Sequence, residues 1–173
     1  MLFVPDYRFD KFDDISPDFL LSIGVRGVLL DIDNTLEPYE NSDPGIRVVN
    51  WLDSLKTAGI NAGFVSNNDA GRVERFNKDL GLPAYSKAKK PFKKYIMKAL
   101  VDIDRRADEC VFIGDQVFTD VWAARNAGLK AILLPPIKDK RDLFTRFKRL
   151  LERPFLRKYD KKMKNEDKEN DKA

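Results

Sequence analysis

A chain of 173 residues with 43% hydrophobic and 35% charged residues holds enough apolar side chains for one domain with a real core under a very polar surface. It has one cysteine and no histidine, which excludes an internal disulfide, Ser-His-Asp catalysis and an ordinary zinc site. Any metal chemistry must rest on carboxylates, and that points to a hard cation such as Mg²⁺.

The net charge of +4 is uneven, because residues 138–173 hold 14 basic and 8 acidic residues and the remainder carries −2. The opening MLFVPDYRFD lacks the apolar run of a secretory signal, and no segment reaches the roughly 18 apolar residues of a membrane span. A cytoplasmic protein is expected.

In chain order, Ser16-Pro17-Asp18 is a helix start, and FLLSIG is a short helix ended by Gly24. Val25 to Asp31 (VRGVLLD) reads as a buried parallel strand. Pro44 opens a helix with Val48, Trp51, Leu52 and Leu55 on one face, and Gly59 ends it. Residues 60–66 (INAGFVS) form a second strand. A helix from Asp69 or Ala70 to Leu80 stops at Gly81, and another spans Pro91 to Val101. Cys110 to Gly114 is a third strand, with Cys110 itself expected as a buried strand residue. Thr119 to Asn126 is a helix, and Lys130 to Leu134 is a fourth strand before Pro135-Pro136.

Strands alternating with helices predict an α/β fold, a Rossmann-like doubly wound parallel sheet. The expected organisation is an N-terminal extension over 1–24 packing on a core over 25–153, then a basic, largely disordered tail over 154–173.

Ligands of such sheets bind outside the carboxyl ends of the strands, so polar residues there carry the functional signal. Asp31 and Asp33, two apart on a chain leaving a strand, point to the same side. Burying both is costly unless a cation or hydrogen-bond donors compensate. The plainer alternative is that Asp33-Asn34 is only a turn. Ser66 ends the second strand, where a hydroxyl can donate to a phosphoryl oxygen; a helix-capping serine is the plainer reading. Asp115 follows the third strand at a metal-ligand position, with Asp120 behind it; complementing a helix dipole is the plainer reading of Asp120, and the two readings are compatible. Lys90 lies in a lysine-rich run with Lys87, Lys89, Lys93 and Lys94, which reads equally as a solvated face, and the residue types alone do not separate Lys90 from Lys89.

Taken in order, Asp31-Ile32-Asp33-Asn34-Thr35, Ser66, Lys90 and Gly114-Asp115 with Asp120 resemble the haloacid dehalogenase (HAD) superfamily. Ser66-Asn67-Asn68, Lys89-Lys90-Pro91 and Gly114-Asp115-Gln116 with Thr119-Asp120 are similar to its subfamily IIIA group called YqeG, itself similar to the mitochondrial phosphatidylglycerophosphate phosphatases. The resemblance implies an aspartate nucleophile, Asp31, and a general acid and base, Asp33. It implies Mg²⁺ on the Asp31 carboxylate, the Asp33 carbonyl and the Asp115 carboxylate. Ser66 and Lys90 would contact the phosphoryl group and offset its charge, with Asp120 in support. Thr35 would orient Asp33, and Asn34 and Asn67 would add loop contacts to substrate.

Enzymes of this superfamily usually select substrates with an inserted cap domain. Only eight residues separate Thr35 from Pro44 and 23 separate Ser66 from Lys90, so no large cap is expected and the site should be open. Leu143, Phe144, Phe147, Leu150 and Leu151 lie at helical spacing among Lys138, Lys140, Arg141, Arg146, Lys148, Arg149, Arg153, Arg157 and Lys158. Such a helix either covers the sheet or lies on an anionic membrane, with Phe155 and Leu156 adding insertion. Together these features favour phosphatidylglycerophosphate as substrate, with peripheral binding at the inner membrane face. The alternatives are a phosphatase for soluble, protein or nucleic-acid-end phosphates, and a non-catalytic phosphate- or RNA-binding protein.

Overall fold

The apolar run after Gly24 becomes the centre of a sheet. The structure, a computed structural model, describes residues 2–138 and 151–161. Six strands are present among them: β1 (Tyr7–Arg8), β2 (Gly27–Leu30), β3 (Asn61–Val65), β4 (Ala84–Tyr85), β5 (Cys110–Gly114) and β6 (Lys130–Leu133). They form one all-parallel sheet in the order β1-β6-β5-β2-β3-β4. The helices are α1 (Pro17–Ser22), α2 (Ile46–Thr57), α3 (Ala70–Asn77), α4 (Lys94–Asp102) and α5 (Trp122–Ala127).

Every residue of β2 and of β5 is buried, as expected of strands covered on both faces. Successive side chains alternate between the two faces. Val28 and Leu30 join Val48, Trp51, Leu55, Phe64 and Phe76 in one core layer. Leu29 joins Val65, Ile96, Leu100, Phe112 and Ala124 in the other. Helices α2 and α3 thus cover one face, and α4 and α5 the other. Each buried Val, Leu, Ile or Phe among them contributes roughly 1.5–3 kcal/mol. The doubly wound α/β architecture is as expected, and no large cap is present among the described residues.

The two extra strands, β1 and β4, extend the sheet at its edges and are two residues long, too short to leave a pattern. Tyr7 pairs with Ile132, and Phe12, Ile15 and Leu20 are buried in the core, so residues of the N-terminal segment help to build the domain. The helix expected from Pro44 begins at Ile46, with Gly45 as its extended N-cap, whose N–H donates to Glu37 Oε1 at 3.0 Å. The helix expected over 119–126 is a π-turn, Val117–Val121, followed by α5.

Residues 151–161 are helical, and they include the first eight residues of the segment 154–173 expected as a largely disordered tail. This helix packs on the domain through Phe155, whose ring sits 5.1 Å from Phe3 and 5.8 Å from Phe118. The greater part of the expected amphipathic stretch, with Leu143, Phe144, Phe147 and Leu150, and the charged residues 164–173 lie outside the described residues.

Candidate active site

The chain order β2-β3-β4-β5 runs to one edge of the sheet and then returns to the other side of β2. This reversal places the switch point between β2 and β5, where a crevice opens at the carboxyl ends. Asp31 follows β2, Ser66 follows β3 and Asp115 follows β5. All three line a cavity of about 410 Å³, together with Asp33, Asn34, Lys90 and Gln116.

Lys90 is the hub. It is buried, and its Nζ lies 2.7 Å from Asp31 Oδ1 and 2.7 Å from Asp120 Oδ1. The neighbouring Lys89 is exposed, so geometry separates two lysines that residue type could not. Burial opposes the Lys90 charge, but Asp120 and Asp31 outweigh it and hold its pKa above that of an ordinary lysine. Asp31 is pushed up to about 6. Burial is the main cause, Lys90 pulls the other way, and the Asp120 and Asp33 charges add to the rise. One ammonium shared between two carboxylates does not restore Asp31 to its ordinary range.

Asp120 enters through the π-turn, a local irregularity common at functional sites. Its Oδ2 accepts from the Gln116 N–H at 3.0 Å. A Cβ on Gly114 would lie 2.4 Å from the Asp120 carboxyl carbon, so only glycine at 114 lets that carboxylate reach Lys90. Asn67 pins Lys90 by its backbone, accepting from the Lys90 N–H at 2.7 Å and donating to the Lys90 carbonyl at 3.3 Å. Ser66 is buried, and its Oγ accepts from the Asn68 N–H at 3.1 Å.

Two expected residues sit differently. Thr35 is buried away from the cavity and makes no hydrogen bond to Asp33 among the described residues. Instead, Asp33 Oδ2 accepts from Asn68 Nδ2 at 2.9 Å and Oδ1 from Arg72 Nε at 3.1 Å. Asn67 lines the cavity, but its amide serves the Lys90 backbone. The sequence reading missed three contributors. Arg72 lies inside the helix expected from Asp69 or Ala70, and Asn68 just before it entered only as part of the Ser66-Asn67-Asn68 match, with no role of its own. Glu152, distant in sequence, is buried, lines the cavity and accepts from the Val117 N–H at 3.0 Å.

The carboxylates of Asp31, Asp115 and Asp120 are buried, and each offers an oxygen within 4.8 Å of the others. A purely oxygen donor set at this spacing, with no sulfur or imidazole, fits a hard divalent cation. A cation there would favour the ionised form of Asp31, which burial disfavours.

Residues 87–142 match the family model described as HAD-hydrolase-like. The chain is 35% identical over 154 residues to a protein of Bacillus subtilis (strain 168) named probable phosphatase YqeG, covering 89% of this chain and 90% of that one. It is 29% identical over 110 residues to the glyceraldehyde 3-phosphate phosphatase of Pyrococcus abyssi, covering 57% of this chain and 44% of that one. Among solved structures, the cobalt-bound deoxy-D-mannose-octulosonate 8-phosphate phosphatase of Haemophilus influenzae superposes with a TM-score of 0.53 at 16% identity, over 65% of this chain and 69% of that one. That likeness is one of fold. With the match to the Bacillus protein running nearly end to end over a buried Asp–Lys–Asp site, the chain belongs to the HAD-like phosphatases, in the group of YqeG.

Proposed function

We propose that the protein hydrolyses phosphomonoesters through an aspartyl phosphate on Asp31. The observation that carries this is the placement of Asp31: at the end of β2, buried, hydrogen-bonded to Lys90 at 2.7 Å, with Asp33 opening into the same cavity. An Asp31 oxygen attacks phosphorus while the bond to the leaving oxygen breaks, and Asp33 gives that oxygen its proton. In the second step Asp33 takes a proton from water as the water attacks phosphorus. The bond from phosphorus to Asp31 then breaks and phosphate leaves. Lys90 offsets the repulsion between the attacking carboxylate and the phosphate. Ser66 donates to a phosphoryl oxygen. Mg²⁺, held by Asp31, the Asp33 carbonyl and Asp115, would neutralise phosphoryl charge when bound.

The substrate reading is phosphatidylglycerophosphate. It is supported by the absence of a large cap among the described residues, by Lys138 and Tyr39 on the cavity lining, and by the likeness of the YqeG group to lipid phosphatases. No helix among the described residues is long and apolar enough to cross a membrane, so the protein would meet the headgroup from the membrane surface. A second reading is a small soluble phosphate, favoured by the match to the glyceraldehyde 3-phosphate phosphatase.

Phosphate release from phosphatidylglycerophosphate in mixed micelles, with Mg²⁺ or EDTA, tests the lipid reading. Release that needs Mg²⁺ and exceeds that from soluble phosphates supports it. Release from soluble phosphates alone moves the assignment to the second reading.

A further inference from the structure

We propose that Arg72 is the positioning residue of the acid–base cycle, fixing Asp33 so that its Oδ2 oxygen carries the transferred proton. The inference rests on the reading of Asp33 as general acid.

Arg72 lies in the first turn of α3, where its N–H donates to the Asp69 cap at 3.0 Å. Its guanidinium is held at three points. Nε donates to Asp33 Oδ1 at 3.1 Å, Nη1 donates to the Ser42 carbonyl at 2.9 Å, and the group sits 5.4 Å above the Phe76 ring. Its side chain is only 9% exposed. A planar cation fixed by contacts from the β2 loop, the 38–45 connection and its own helix has little freedom to swing. It therefore places Oδ1 of Asp33 in one position.

The two Asp33 oxygens are then unequal. Oδ1 faces a permanent cation that does not line the cavity. Oδ2 faces Asn68, a neutral side chain that does line it. A proton on Oδ1 would collide with the Arg72 N–H, which is always a donor. A proton on Oδ2 requires only that the Asn68 amide give way. When Oδ2 passes its proton to the leaving oxygen, the new carboxylate keeps its ion pair with Arg72, so the charge produced by proton transfer is already stabilised. This is the orienting task that Thr35, which makes no bond to Asp33, does not perform.

Leaving-group dependence separates this role from a structural one. An alkyl phosphate needs its leaving oxygen protonated as the bond breaks, whereas p-nitrophenyl phosphate does not. The comparison uses kcat/KM in Mg²⁺, which reports steps through bond cleavage. Arg72→Gln is expected to lower kcat/KM for glycerol phosphate roughly tenfold to a hundredfold, and for p-nitrophenyl phosphate less than about threefold. Arg72→Lys, which keeps the charge but loses the planar fork, is expected to show the same split and carries the test if the Gln variant does not fold. Equal falls on both substrates, or no fall on either, would overturn the proposal. Asp33→Asn serves as the control. A split there without one at Arg72 leaves the acid assignment standing and removes the Arg72 role. Absence of a split at Asp33 removes both.

Discussion

Strands β2 and β5 lie side by side in register, Gly27 opposite Cys110 at one end and Leu30 opposite Ile113 at the other, yet their two ends are built on opposite principles. At the amino end the contact is close and apolar. A Cβ on Gly27 would lie 2.5 Å from Cys110 Sγ, and Cys110 is fully buried, its thiol pushed up to about 12 chiefly by burial. At the carboxyl end the same buried environment holds Asp31, Asp115, Asp120 and Lys90. Packing at the first end stabilises the fold. The charges at the second work against it unless each finds its counter-charge, and such conflicts concentrate where function is.

The comparison can be broken first at Asp31. Asp31→Asn should lower turnover by about a thousandfold or more while raising the thermal stability of the metal-free protein at pH 8. A carboxyl whose folded pKa of about 6 lies above its unfolded value near 3.8 costs stability above about pH 6 and none below about pH 4. The gain should therefore be on the order of 1–3 kcal/mol at pH 8 and vanish near pH 4. Melting curves in EDTA at the two pH values check this; a loss of stability at pH 8 would contradict it.

Lys90→Met comes next. It leaves Asp31 and Asp120 facing each other in a buried site, so chemical denaturation should show a loss of about 3–5 kcal/mol, together with loss of activity. At the opposite end, Gly27→Ala should destabilise by about 1–3 kcal/mol through overpacking and leave kcat of the folded fraction unchanged. A matching drop in kcat would mean that the two ends are coupled. The smallest effect concerns Cys110, whose thiol should stay unreactive toward a thiol reagent at pH 8 in the native protein and react fully once unfolded.

The features that were legible in the sequence are those that burial writes into consecutive residues. GVLL and CVFIG are apolar because both sheet faces are covered, and the acids that follow them mark the crevice. The two-residue strands β1 and β4 have no period to detect. The partners of Asp33 were hidden for another reason. Asn68 and Arg72 flank the cap of α3, where residues of their kind are ordinary, and only the fold brings them to an aspartate 35 and 39 positions away. Glu152 reaches Val117 across 35 residues, and no local pattern signals such a contact. Thr35 shows the converse, where the family resemblance implied an orienting contact with Asp33 that its hydroxyl does not make.

The central claim is that Asp31 becomes phosphorylated. Its most direct test is borohydride trapping during turnover by the Asp33→Asn protein, in which activation of the hydrolytic water is removed, followed by peptide mass spectrometry. The account predicts reduction of an acyl phosphate to homoserine at position 31. Homoserine at position 115 or 120, a stable phosphate on Ser66, or turnover with no trapped residue at all would contradict it.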